Sequence, residues 1–196
     1  TLRRSSAASD VYKRQPPFIP GMEVAGEILE IGQDVSRPLN VGQRVMAFMR
    51  GGGAFAEEVL VDSEWLVPVP DQMDDVIAAG FPTVYGTSNF ALKHRGNLQA
   101  GETLLVLGAA GGVGLTAVEL GKTMGANVIA AAGGNEKCKV AIDHGADFAI
   151  DYKTESIRDR VKELTDNRGA DVVYDAVGGD VFDQAIRACL LYTSPS

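Results

Sequence analysis

The stretch LLVLGAAGGVG, residues 104–114, decides how this chain is read. Its apolar opening has the look of a strand buried on both faces, and glycines crowd the turn that follows. Downstream comes an apolar run over 113–124 with helical composition, then NVIAAAG at 127–133. Strand, glycine turn, helix and strand in that order form the unit in which a pyrophosphate meets the amides and positive dipole end of a helix. In that reading Gly108 lets the strand turn out, Gly111 lets a pyrophosphate approach bare backbone, and Gly114 lets the helix pack closely on the sheet. Ala110, Gly112 and Val113 complete the cradle. Ala109 stands where the usual fingerprint has its first glycine, so the context carries the assignment, with a merely structural turn as the competing reading.

The end of the second strand bears on which dinucleotide is bound. Sites that prefer NAD often place Asp or Glu there against the ribose hydroxyls, and none stands beside Ala131 and Ala132. Gly133, Gly134 and Asn135 leave room for a 2′-phosphate, and Lys137 or Lys139 can pair with it, which points to NADPH. The alternative is that both lysines are ordinary solvated helix residues.

Outward from this unit, strand-like segments at 147–150 and 171–174 alternate with helical ones at 136–144, 157–164 and 181–188. Such alternation predicts a mostly parallel, doubly wound α/β sheet. Four strands are legible where a complete dinucleotide domain has six, so an exposed sheet edge and low stability are expected. Upstream, EVAGEILEIG (23–32), VGQRVMAF (41–48), AFAEEVLV (54–61) and WLVPVP (65–70) alternate short apolar runs with glycine turns and predict a β-rich unit. Residues 71–79 and 84–93 have helical composition, with a break expected at 80–83 around Pro82.

Composition sets outer bounds. The chain has 196 residues, 45% hydrophobic and 22% charged, which suits a globular fold that needs no metal or disulfide simply to hold together. A net charge of −8 disfavours nucleic acid and anionic bilayers as partners. No run approaches about 18 apolar residues, and the two cysteines show no CxxC or secreted pattern, so a cytoplasmic setting is expected. The ends break the pattern: residues 1–15 (TLRRSSAASDVYKRQ) and 189–196 (CLLYTSPS) resemble translated adapter sequence and are read as a non-native leader and tail. Without the leader the formal charge becomes −11.

PFIPGMEVAGEILEIG (17–32), VGQRV (41–45), GETLLVLGAAGGVGLTAVELGK (101–122) and GADVVYDAVGG (169–179), in that order, resemble the zinc-independent quinone-oxidoreductase, zeta-crystallin-like branch of the medium-chain dehydrogenase/reductase superfamily. The resemblance covers most of residues 16–188. It implies a partial GroES-like catalytic domain with connecting helices over 16–95 and a partial Rossmann domain over 96–188, with NADPH and substrate meeting in the cleft between them. Glu119 departs from the branch, which often has glutamine there. Zinc alcohol dehydrogenases of the superfamily carry GHE where this chain reads Gly21, Met22 and Glu23, and a thioether is a poor substitute for the zinc-binding imidazole. No metal site is therefore expected, and His94 and His144 are read as surface or local packing residues.

The resemblance further implies hydride transfer to a quinone or other conjugated, electron-poor carbonyl, with a homodimer as the assembly of the parent protein. Related readings are an enal or enoyl-thioester reductase, or a cofactor-binding structural or RNA-associated protein. FPTVYGTSNFAL (81–92) matches the region where a threonine and aromatic residues approach the nicotinamide, making Thr83 the first positioning residue and Tyr85 and Thr87 its companions. A hydroxyl acting only as a turn or helix cap is the alternative. Tyr152 resembles a family tyrosine on the adenine or phosphate side of the cofactor, or else packs locally. Gly178 and Gly179 are expected in the next strand-end loop, organised by Asp175.

Overall fold

The computed structural model describes residues 17–189, so the leader at 1–15 and all of the 189–196 tail except Cys189 lie outside the described residues. The chain forms two units, Thr1–Thr83 and Val84–Ser196.

In the first unit, β1 (Glu23–Glu27), β2 (Arg44–Phe48) and β3 (Leu66–Pro68) form an antiparallel sheet in that order. Glu23 faces Phe48, Ala25 faces Met46, and Val45 faces Pro68. Met46, Val69 and Ala78 make a small core, with Ala25, Met73 and Phe81 packed against it. Arginines hold the connections. Arg37 donates to the carbonyls of Ser63 and Leu66, while Arg44 reaches the Asp75 carboxylate at 2.5 Å and the Met73 carbonyl at 2.6 Å. Residues 54–61, expected as a strand, are not one. Among the described residues, the backbone pairing of this stretch is that of the Ala54 and Phe55 amides with the carbonyls of Gly21 and Pro20, and Phe55 and Leu60 are 74% and 96% exposed. A strand lacking a face to bury has nothing to extend its ladder.

The expected helix break at 80–83 is also absent. One helix, α1 (Asp75–Asn89), runs through Pro82 and gives way to a wider turn at Phe90–Arg95, where the Gly96 amide reaches back to the Ala91 carbonyl. Proline removes its own donor and crowds the carbonyl four residues earlier, but tertiary packing outweighs that cost here. Ala78 is fully buried and Phe81 packs on the core, so the turn before Pro82 is held in place.

The second unit follows the expected order: β4 (Thr103–Leu107), α2 (Gly112–Thr123), β5 (Asn127–Ala132), α3 (Asn135–Asp143), β6 (Phe148–Asp151), α4 (Ile157–Leu164), β7 (Val172–Asp175) and α5 (Gly179–Ile186). All four strands are parallel, in the order β6-β5-β4-β7. Strand parity divides the core. Leu104, Val106, Val128 and Ala130 pack with Ala117, Val118 and Ala141 of α2 and α3, whereas Leu105, Leu107, Ile129 and Ala131 pack with Ile157, Val161 and Ala185 of α4 and α5. Two covered faces explain why β4 is wholly buried and why it reads as an uninterrupted apolar run. The strand order reverses between β4 and β7, the switch point at which doubly wound sheets bind their ligands. Among the described residues, no helix is long and apolar enough to cross a membrane.

Candidate functional site

Beyond the carboxyl end of β4, Gly108 turns the chain at φ +66°, a left-handed conformation that favours glycine. A Cβ there would also lie 2.8 Å from Val177 Cγ2 in the loop after β7, so the two loops flanking the switch point touch. Gly114 is required on different grounds. A Cβ on it would sit 2.2 Å from the Gly108 carbonyl oxygen, a backbone atom unable to yield as a side chain does. The Ala109 amide extends the β4 pairing to the Ala131 carbonyl, and Ala109 is itself fully buried. Alanine at the first fingerprint position therefore leaves the turn intact. Gly111 stands at the N-cap of α2, and no side chain caps the helix. The first-turn amides, among them those of Gly112 and Val113, keep their capacity to meet an anion. Ala110 lies in the turn between Gly108 and Gly111, whose amide bonds back to the Gly108 carbonyl at 2.9 Å.

At the end of β5, Gly134 has φ +111° and leads into α3, placing the exposed Asn135 and Lys137 on its first turn. The sequence reading did not single out Asp151. Only 8% exposed at the end of β6, it accepts from the Gly134 amide at 2.9 Å and the Lys153 amide at 3.0 Å. One buried carboxylate thus ties the β5 and β6 loops together. Tyr152 and Lys153 then lie across Gly133, where a Cβ would meet the Tyr152 ring and hydroxyl at 3.1 Å and Lys153 Cε at 3.2 Å. The structure therefore brings Tyr152 to the loop that holds Asn135 and Lys137, and adds Lys153. The DYK order at 151–153 was the available signal. Burial and the nearby Asp151 raise the pKa of the Cys138 thiol, so it is not an activated nucleophile.

Gly178, at φ +74°, caps α5, and Asp175 organises its loop by accepting from the Val177 and Gly178 amides at 2.8 and 2.9 Å. Thr83 and Tyr85 lie two residues apart on α1. The Thr83 amide donates to Glu23 Oε1 at 2.8 Å. The Tyr85 hydroxyl donates to Glu119 Oε2, and this bond, with burial and the carboxylate charge, pushes its pKa up to about 12. The other oxygen of Glu119 meets His144 Nδ1 at 2.6 Å. A phenol engaged in this way is a poor proton donor near neutral pH. Thr87 is exposed.

A buried hydroxyl cluster also escaped the sequence reading. Ser88, fully buried, donates to the Val113 carbonyl at 2.8 Å and lies 2.8 Å from the Thr116 hydroxyl and 3.1 Å from that of Tyr174. It ties α1 to the start of α2 and to β7. No group of three or more His, Cys, Asp or Glu side chains among the described residues is placed to hold a metal ion. Met22 is half-exposed.

The family described as alcohol dehydrogenase GroES-like domain matches residues 3–71, and the zinc-binding dehydrogenase family matches residues 112–190. A quinone oxidoreductase-like protein 2 homolog from Nematostella vectensis is 43% identical over 179 residues, covering 90% of this chain and 48% of the relative. A 2-haloacrylate reductase from a Burkholderia species is 31% identical over 188 residues, covering 95% of this chain and 56% of the relative. A mycobacterial protein solved in complex with NADPH superposes with a TM-score of 0.80 at 33% identity, covering 92% of this chain and 56% of that one. The chain thus spans about half the length of the curated relatives it matches. The matches agree with the strand order, the glycine turn and the antiparallel sheet, and the chain belongs to the quinone-oxidoreductase-like branch of the medium-chain dehydrogenase/reductase superfamily.

Proposed function

We propose that this protein is an NADPH-dependent, zinc-independent oxidoreductase that delivers hydride to a quinone or similarly electron-poor carbonyl. The observation that carries the reading is the pairing of the glycine cradle at the β4–β7 switch point with a β5 strand that ends in no acidic residue of its own and leads into a loop beside Lys137 and Lys153. NADPH fits these residues. Gly108 and Gly114 bring the backbone close, the uncapped start of α2 offers amides to the pyrophosphate, and Asp151 is held by backbone amides. Asn135, Lys137, Tyr152 and Lys153 surround the place for a 2′-phosphate, a role in which a lysine acts as a point charge. NADPH supplies the hydride when bound, and a mycobacterial relative was solved in complex with it.

The residues of the chain then have three tasks: to orient, to exclude water and to offer hydrogen bonds to the developing oxygen charge. Thr83 is assigned to positioning beside the nicotinamide, and Gly178 to the loop facing the cofactor. Tyr85, hydrogen-bonded to Glu119, orients α1 and does not donate the proton; water supplies it. A quinone already accepts hydride well, so no metal is needed, and Met22 in place of the ligand histidine agrees with that. Residues 16–95 form the catalytic part and 96–188 the nucleotide part, in a cytoplasmic homodimer of the parent protein.

The test is calorimetry of NADPH and NADH against the chain and its Lys137→Ala and Lys153→Ala variants. NADPH is expected to bind more tightly, and loss of a charged phosphate partner to weaken it by roughly 10- to 100-fold with NADH unaffected. Equal affinities in the unaltered chain would sink the assignment. A second reading, reduction of an activated carbon–carbon double bond, is favoured by the 2-haloacrylate reductase relative. NADPH oxidation with menadione, 2-chloroacrylate and a crotonyl thioester separates the two enzymes, and tight binding without turnover on any of them points to a structural or RNA-associated role.

A further inference from the structure

We infer that Glu23 is a positioning residue, holding the backbone of Thr83 at the height from which its hydroxyl acts. Glu23 is the first residue of β1, and its backbone is fixed on both sides. It pairs with Phe48 in the ladder, and the preceding Met22 carbonyl accepts from the Met49 amide at 2.6 Å. From this anchor the half-buried carboxylate reaches 60 residues along the chain to the Thr83 amide at 2.8 Å.

The position of that bond on the helix distinguishes it from a cap. Carboxylates commonly bind the free amides of a first helical turn. In α1 that place is already taken by Asp74, whose Oδ1 accepts from the Val76 amide at 2.8 Å. Glu23 binds instead in the middle of the helix, at the residue after Pro82, whose ring crowds the carbonyl of Ala78 and whose nitrogen carries no hydrogen. The local hydrogen-bond ladder is interrupted there, and an acceptor from β1 meets the next amide along. A charge-assisted bond of this kind is roughly twice as strong as a neutral one. It links Thr83 to the sheet at a point where the helix alone would hold it loosely. The Gly-Met-Glu segment thereby keeps a task in the absence of a metal, through its glutamate.

The inference rests on the proposed place of Thr83 beside the nicotinamide, and the test separates the two. In the ¹⁵N-labelled 196-residue chain, the Thr83 amide proton is expected downfield, as befits a donor to a carboxylate oxygen at 2.8 Å. In Glu23→Gln it should stay downfield, because the amide oxygen still accepts, and in Glu23→Ala it should move upfield. This arm needs no turnover, and a Thr83 amide indifferent to all three side chains overturns the contact.

In the reductase assay, Glu23→Ala is expected to lower kcat roughly 10- to 100-fold with the NADPH Kd unchanged, a cost in line with a misplacement of about 1 Å. Glu23→Gln should recover most of the rate. Combined with Thr83→Val, Glu23→Ala should add nothing. Additive losses would overturn the positioning role while leaving the function intact. A Thr83→Val variant as active as the unaltered chain would instead remove Thr83 from the site, and the inference with it.

Discussion

The two units hold their functional residues by different means. In the second, the glycine turn is fixed by backbone: β4 is buried on both faces, and the helix that follows approaches so closely that only glycine fits at 114. In the first, three short strands share a small core, and single side chains such as Arg37, Arg44 and Glu23 span the gaps between segments. A site built from backbone tolerates almost no added atom, whereas one held by side-chain reach tolerates atoms but not the loss of a partner.

The largest expected effect probes that contrast with one substitution at two places. Gly114→Ala forces a Cβ against the Gly108 carbonyl oxygen and is expected to cost about 3 kcal/mol, the upper range for overpacking, and to abolish NADPH binding. Gly26→Ala in β1 meets nothing within 4 Å and is expected to change stability by no more than about 0.5 kcal/mol. Urea denaturation of both variants decides the matter, and comparable losses would erase the distinction.

Gly121→Ala comes next, at about 2 kcal/mol, because its Cβ would lie 2.6 Å from Leu104 Cδ2 and 3.1 Å from Val128 Cγ2. Those are side-chain ends and can give a little, though both residues are fully buried. A loss as large as that of Gly114→Ala would mean that the face between α2 and the sheet is as unyielding as the turn itself. Ser88→Ala is placed at about 1 kcal/mol, since the buried Tyr174 hydroxyl loses its Ser88 partner while the Val113 carbonyl still accepts from Thr116 Oγ1 at 3.1 Å. A neutral result in the same denaturation series would show that the cluster rearranges freely.

The contrast also explains what could be read from sequence. The second unit is legible because its helices and strands follow local patterns: the predicted boundaries at 113–124, 157–164 and 171–174 lie within one residue of those observed. Gly108 and Gly114 were legible because φ and close approach are requirements on one residue at a time. The first unit was read less well. The apolar run at 54–61 scans like a strand, but pairing is decided by burial, and Phe55 and Leu60 are largely exposed. Pro82 scans like a break, but Ala78 and Phe81 packed on the core carry the helix through. Asp151, Lys153 and the Ser88 cluster were missed because each depends on elements brought together only in the folded chain: β5 with β6, and α1 with α2 and β7.

The smallest expected effect lies in pH dependence and concerns Tyr85, where a side-chain bond joins α1 to the nucleotide-binding helix. Its phenol is pushed up to about 12 from an ordinary value near 10, first by the hydrogen bond to Glu119 and then by burial and the carboxylate charge. The folded chain therefore retains that proton over a range in which the unfolded chain has released it. Where the native state binds more protons, stability falls as pH rises. The contribution of this bond is complete below about pH 10 and is lost as pH climbs toward 12. Tyr85→Phe should lower stability slightly at neutral pH and flatten that segment of the curve, while the tyrosinate absorbance titration loses a transition near pH 12. The same variant should bind NADPH as tightly as the unaltered chain, because the cradle is held by Gly108, Gly114 and Asp151 and not by this phenol. A marked loss of cofactor affinity in Tyr85→Phe would instead mean that the placement of α1 reaches the glycine turn, and that side-chain reach contributes to the backbone-built site as well.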